Sequence, residues 1–449
     1  MTVLINIMNN FAKLISDYIL YEILALIWLL YLWNIYLNFR QRNLIKKLVE
    51  PPPAVDGIMT KDVYDKARLY HMDKLNFDDF SKTYMHLFTT VFLLMFGYHH
   101  FWQWSIDLGK HFGLTRENEI LISAICMFLI CVGCTIIGLP LVVYHTFVIE
   151  QKHGFNKETP LFFIKDQLLK FLVVQAIATP LLCVVISIVQ NGGDYFYLYV
   201  WIFSIIVTLF LMILYPEVIA PIFDKYTPFP DGELKTKIQE LAASVEFPLY
   251  KLFIVEGSKR SSHSNAYLYG FHKNKRIVLF DTLIKEFYKL GEGETEAKGC
   301  ETDEVLGVLA HELGHWKYNH ILKGFMFAQV SCLARVLVYA KLLDYEPIYM
   351  AFGFMDSKPT FIGLLIITLY ILIPFTTLLE FVAGIIGRKF EFEADRFATI
   401  LGHGEALKRS LIKLQKDNLC FPLFDKLYSC WLHNHPPLLE RLEAIDKEN

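Results

Sequence analysis

His311-Glu312-Leu313-Gly314-His315 sets two imidazoles four residues apart, with a carboxylate directly after the first. Ahead of it, Val305, Leu306, Val308 and Leu309 have the spacing of a helix that buries one face. Four residues make about one helical turn, so His311 and His315 project from the same side and can grip one cation. Glu312 is rotated by about 100° and stands beside that cation, not on it, where its carboxylate can act as a general base toward water. A surface helix with two incidental histidines would carry the same five letters, so further ligands must decide between the readings.

A catalytic zinc takes three protein ligands and keeps its fourth position open. The acidic run Glu391-Phe392-Glu393-Ala394-Asp395 offers candidates for the third. Glu391 and Asp395 are four apart and share a helix face, while Glu393 points elsewhere. One carboxylate can ligate while the other holds a ligating imidazole from behind. Spacing leaves open which does which, and a plain pairing of Asp395 with an arginine is the alternative.

Two other clusters can complete a hydrolytic site. Asn265 lies in Ser261-Ser262-His263-Ser264-Asn265-Ala266-Tyr267, between two β-rich runs. An extended peptide can add to such an edge through main-chain hydrogen bonds, with Asn265 as a side-chain clamp; a polar hairpin turn is the other reading. In His433-Asn434-His435-Pro436-Pro437 the proline pair holds His435 extended and starts a helix over 438–445. A rigidly held imidazole suits a donor to the charge that builds on an attacked carbonyl oxygen, although a structural histidine beside proline fits the same letters. Pattern alone assigns no role to His263 or Arg441.

The elements that must position these groups are mostly apolar helices. Of 449 residues, 54% are hydrophobic and 15% aromatic. That exceeds the ~45–50% apolar content usual in soluble domains and points to a bilayer. A membrane core of about 30 Å takes about 20 helical residues, and seven segments reach that length: 15–37, 84–104, 120–144, 168–189, 196–219, 324–343 and 361–384. The sixth carries Arg335 and Lys341, which are costly at depth unless they face a polar cavity or reach the interface. The first apolar stretch lacks a basic leader and is too long for a signal peptide. A net charge of −3 argues against a nucleic-acid partner. Of the eight cysteines, Cys131 and Cys134 have metal-ligand spacing, but their apolar context reads as small-residue packing.

The chain divides into a membrane part with five spans (1–219), a protease segment with the histidine motif (220–322), spans six and seven (323–384) and a C-terminal segment with the third ligand (385–449). Within 220–322 the residues suggest a turn at 226–232, a helix over 233–245, β-rich runs at 252–255 and 276–280, and a mobile acidic loop at 291–303. Arg40, Arg42, Lys46 and Lys47 follow the first span against a lone Lys13 before it, which places the N-terminus outside the cytosol. Counting onward, segments 220–322 and 385–449 both face the cytosol. Two crossings separate the histidine motif from the acidic helix, so they share a side.

Residues 311–320 (HELGHWKYNH), 390–398 (FEFEADRFA), 257–271 (GSKRSSHSNAYLYGF), 215–234 (YPEVIAPIFDKYTPFPDGEL) and 435–442 (HPPLLERL) resemble the type I CAAX prenyl proteases, over nearly the whole chain. The resemblance implies an all-α polytopic membrane protein whose seven helices enclose a chamber, with a zincin-like region carrying a small β element at its cytosolic end. It implies one zinc ion per chain on His311, His315 and Glu391, Asp395 behind the ligands, and Glu312 as base. It also implies that Asn265 and His435 contact the substrate or the tetrahedral intermediate. The activity implied is removal of the last three residues of farnesylated CAAX proteins, with some substrates cut again upstream. The membrane implied is the endoplasmic reticulum or inner nuclear membrane. Gly387 departs from the serine common in the family, and the tail lacks a dilysine retrieval signal. A zinc transporter would instead place paired His and Asp within the spans. A silent scaffold would not need Glu312. An intramembrane-cleaving protease would bury the motif in an apolar run, whereas Trp316-Lys317-Tyr318-Asn319-His320 follows it here.

Overall fold

A computed structural model describes residues 2–264, 266–270, 275–288 and 297–448. Its frame is helical because its long apolar runs can satisfy their backbone groups only internally within lipid. Among the described residues, five stretches are long and apolar enough to cross a membrane: Ile15–Lys47, Glu119–Glu150, Pro160–Asn191, Gly193–Phe223 and His320–Leu342. A sixth is the pair Thr360–Ile371 and Ile373–Ile400, bent by 59°. The bend follows a π turn at Ile367–Ile371 and precedes Pro374, two established causes of helix kinks. Ile136, Ile206 and Val330 stand outward and bare, an apolar surface that lipid must cover.

The expected span 84–104 takes a different form. Helix Lys61–Leu94 stops, Phe96 turns into the left-handed region at φ 52°, and a second helix runs over Gly97–Lys110. A Cβ on Gly97 would lie 2.2 Å from the Phe92 ring, so any larger residue there would have to displace that ring. His86, His99 and His100 flank the break and make the pair less apolar than the other spans.

The two polar segments do not fold apart. Strands β1 (Tyr226–Pro228), β2 (Leu249–Val255), β3 (Ala266–Tyr269) and β4 (Lys275–Phe280) form one sheet in the order β1-β2-β4-β3. β2 and β4 are parallel, and β3 pairs antiparallel with β4 from Ala266↔Leu279 to Tyr269↔Arg276. The turn expected at 226–232 therefore begins in a strand, and the polar connection holds the edge strand β3. Ile238, Ile277, Leu309, Phe397, Leu407 and Ile445 share a single apolar core, which joins the segments on either side of spans six and seven. Residues 291–296 of the expected acidic loop lie outside the described residues; at its other end the Gly299 N–H donates to Asp417 at 2.8 Å, and 302–303 already belong to a helix.

The motif helix, Thr302–Lys317, starts with a capping box between Glu301 and Glu304. It packs on helix Gly404–Asp417 and on the lower half of helix Ile373–Ile400, here the acidic helix. Two glycines spaced by two turns set the distance. A Cβ on Gly307 would stand 2.6 Å from the Leu407 nitrogen, and one on Gly314 would stand 2.9 Å from the Ala394 Cα. Both obstacles are backbone, so the helices would have to separate.

Gly314→Ala tests this packing because two effects oppose. Helix propensity favours alanine by about 1 kcal/mol, while overpacking against a fixed backbone costs about 1–3 kcal/mol. The expected result is a lower melting temperature in detergent; a stabilised variant would show that the helices do not need this contact.

Candidate metal centre

His311 and His315 point from the motif helix toward Glu391 on the acidic helix. Their Nε2 atoms are 3.1 Å apart, and Glu391 reaches them at 3.6 Å (Oε2 to His311) and 3.3 Å (Oε1 to His315). The three donor atoms all lie within 4.8 Å of one another. His311 and Glu391 are buried, and Glu391 Oε2 also lies 3.5 Å from Arg441 Nη1. Two imidazoles and one carboxylate converging in this way are a donor set that suits a divalent metal such as zinc.

Asp395 lies one turn beyond Glu391 and is 1% exposed. Its Oδ1 is 2.8 Å from His311 Nδ1, and Arg441 clamps both of its oxygens, at 2.8 Å from Nε and 2.5 Å from Nη2. The two readings of Asp395, imidazole holder and arginine partner, are both realised at once. Glu393 faces away from the cluster as its spacing demands, and instead lies 2.9 Å from His320 Nε2.

Glu312 is half-buried beside the histidines and lines a cavity of about 930 Å³ together with His315. Burial pushes its carboxyl above the usual carboxylate range, against the pull of His311 and His315. The same cavity is lined by Tyr267 to Tyr269 of β3 and by Gly270 just after it, and Met212, Ile213 and Phe325 supply apolar surface. β3 is an edge strand and packs against the motif helix, so a peptide pairing with it would pass Glu312.

His435 comes to the same place from the C-terminal end. Its Nδ1 is 2.9 Å from Glu391 Oε2, while 72% of its side chain stays exposed. The backbone there is held by Arg388, which donates to the His433 carbonyl at 2.6 Å, and by helix Leu438–Glu448 directly after the prolines. Of the expected site residues, His311, Glu312, His315, Glu391, Asp395 and His435 converge, and Asn265 lies outside the described residues. His263 is placed elsewhere: it stacks on Phe155 at 4.2 Å and pairs with Glu150 and Asn418. Cys131 and Cys134 are free thiols and belong to no metal-ligand cluster among the described residues.

Residues 41–225 match the family described as CAAX prenyl protease N-terminal, five membrane helices, and residues 228–449 match peptidase family M48. The CAAX prenyl protease 1 homolog of Mus musculus is 44% identical over 447 residues, covering 94% of each chain. This chain belongs to the CAAX prenyl protease family. It is a membrane metalloendopeptidase. The Arabidopsis thaliana homolog is 41% identical over 426 residues, covering 94% of this chain and 96% of its own. The crystal structure of S. mikatae Ste24p matches with a TM-score of 0.85 at 33% identity, covering 97% of this chain and 99% of that one.

Two residues of this prenyl protease's site escape sequence reasoning. Arg441 is signalled only by the need of a buried Asp395 for a cation. His320 follows His315 by five residues across Asn319, whose φ of 55° breaks helical periodicity, so no spacing rule connects them.

Arg441→Met should be strongly destabilising, because it leaves Asp395 buried with half its partners gone. Breaking such a pair costs about 3–5 kcal/mol. Thermal unfolding in detergent measures it, and Arg441→Met with Asp395→Asn should recover part of the loss. A single variant as stable as the parent would mean that solvent or another cation reaches Asp395.

Proposed function

We propose that this enzyme is a zinc-dependent endopeptidase that removes the C-terminal three residues of farnesylated CAAX proteins, with a second upstream cut in some substrates. The observation that carries the reading is the convergence of His311, His315 and Glu391 around one point, with Glu312 at the wall of the adjoining cavity. The names of the relatives supply the substrate class.

His311, His315 and Glu391 would hold one zinc ion per chain, and Asp395 with Arg441 would keep His311 turned toward it. When bound, the ion supplies a Lewis acid that polarises the peptide carbonyl and makes nearby water more acidic. The substrate tail lies extended along β3, with Asn265 as its clamp. Glu312 takes a proton from the attacking water and later gives one to the departing amine, a task that its raised proton affinity suits. His435, held by the prolines and by Arg388, donates to the oxygen on which negative charge builds. The prenyl group and the apolar flank of the cavity keep the substrate at the membrane, in contact with lipid.

The membrane part (1–219) and spans six and seven (323–384) would form the seven-helix body around a chamber, counting the broken pair near Phe96 as one crossing. The segments 220–322 and 385–449 would face the cytosol or nucleoplasm from the endoplasmic reticulum or inner nuclear membrane.

Purified enzyme incubated with a farnesylated CAAX peptide should release the terminal tripeptide, and a chelator should stop it until zinc is restored. Mass mapping of the products decides; a cut elsewhere, or chelator-insensitive cleavage, would sink the proposal. Glu312→Gln should keep zinc near one per chain and abolish cleavage, since it removes the proton acceptor and no ligand. Loss of zinc in that variant would make Glu312 a ligand or a structural group.

His435→Ala is expected to lower kcat by about 10²–10³ with zinc retained, the usual effect of losing one such donor. Near-parental turnover of a folded, zinc-loaded variant would leave His435 a structural residue.

A further inference from the structure

Behind His315 stands a second imidazole. His315 Nδ1 is 2.9 Å from His320 Nδ1, and His320 Nε2 is 2.9 Å from Glu393 Oε2. The His320 ring is 5% exposed and lies flat on Phe390, with centroids 4.1 Å apart and planes 6° from parallel. Stacked and buried, it is held in one orientation.

The chain of atoms has a direction that follows from the proposed role of His315. A histidine that gives its Nε2 lone pair to a metal carries its proton on Nδ1. That proton needs an acceptor, and the lone pair of His320 Nδ1 is 2.9 Å away. His320 must then carry its own proton on Nε2, where Glu393 accepts it. The reverse order fails on both contacts: two N–H groups would face each other across one, and a lone pair would face a carboxylate across the other.

We propose that His320 and Glu393 are positioning residues, which hold His315 in the tautomer and orientation that bind the ion. The inference rests on the assignment of His315 as a metal ligand. It gives each imidazole its own support, with Asp395 and Arg441 behind His311 and with His320 and Glu393 behind His315. It also gives His320, the first residue of helix His320–Leu342, a task in the site as well as in the membrane.

The test reads zinc affinity of the purified full chain in detergent by competition with a chromophoric chelator, with the melting temperatures of the metal-free variants as a control for folding. His320→Leu removes the acceptor and should weaken zinc binding about 10–100-fold, the usual effect of losing a group behind a ligand. His320→Asn places a carbonyl oxygen where Nδ1 stood and should recover most of the affinity. Glu393→Gln still accepts from Nε2 and should bind like the parent, whereas Glu393→Leu should not. The cobalt-substituted His320→Asn protein should keep the parental absorption bands. Equal affinity of His320→Leu and the parent, or a His320→Asn variant no better than His320→Leu, would reduce His320 to a packing residue. A parental chain that binds no zinc would overturn the ligand assignment itself.

Discussion

Asp395 is a carboxylate with almost no access to water, 1% exposed. Taking such a charge out of water costs several kcal/mol after relaxation, and two partners offset that cost here: His311 on one oxygen and the fork of Arg441 across both. The three residues come from three helices, which are far apart in the chain. Because each needs the others, the motif helix, the acidic helix and the C-terminal helix have one mutual arrangement. Glu391, one turn from Asp395, and His435, six residues before Arg441, are placed by that arrangement.

The backbone permits this contact as much as the charges require it. Gly307 and Gly314 let the motif helix approach main chain on two neighbours, at separations where a Cβ would collide. The shared apolar core around Leu309, Phe397 and Ile445 then fills the space between. Strands β2, β3 and β4 add Leu252, Ile254, Ala266, Ile277 and Leu279 to that core, and β3 is the edge of the sheet among the described residues, at the cavity wall. The polar segments before and after the last two spans thus act as one folded unit.

Sequence reasoning succeeded where one physical rule acts within a few residues. The i, i+4 spacing of His311 and His315, and of Glu391 and Asp395, places each pair on one face whatever surrounds it. The long apolar runs likewise announce their helices. It failed where the cause is remote. β3 reads as linker because it is only four residues long and follows a polar run, and the motif helix it packs on lies more than thirty residues further along the chain. The break at Phe96 depends on how closely the Phe92 ring meets Gly97. Arg441 and His320 have their meaning only through Asp395, His315 and Glu393, which folding brings to them. The difference between Glu391 and Asp395 was likewise invisible to spacing: Glu391 lies against the Nε2 atoms of both histidines, while Asp395 lies against His311 Nδ1 and Arg441.

The acidic helix runs unbroken from Ile373, just past the bend, to Ile400. No boundary near Gly384 separates its membrane half from its site half. Glu391 is 19 residues from the bend at Leu372, so the rise per residue puts it about 28 Å away. Metal-ligand distances tolerate errors of about 0.2 Å. At the end of such an arm, 0.2 Å corresponds to a rotation of only about 0.4°. The helix is therefore a lever whose fulcrum, at Leu372, is packed against Tyr339 and Ile367 of the membrane body, and whose tip would have to hold still to a fraction of an ångström. If Glu391 holds a metal as proposed, a bundle that rocked by a few degrees with each fluctuation of the bilayer would strain that ligand set, and the stiffness of the whole membrane body would be a working part of the site.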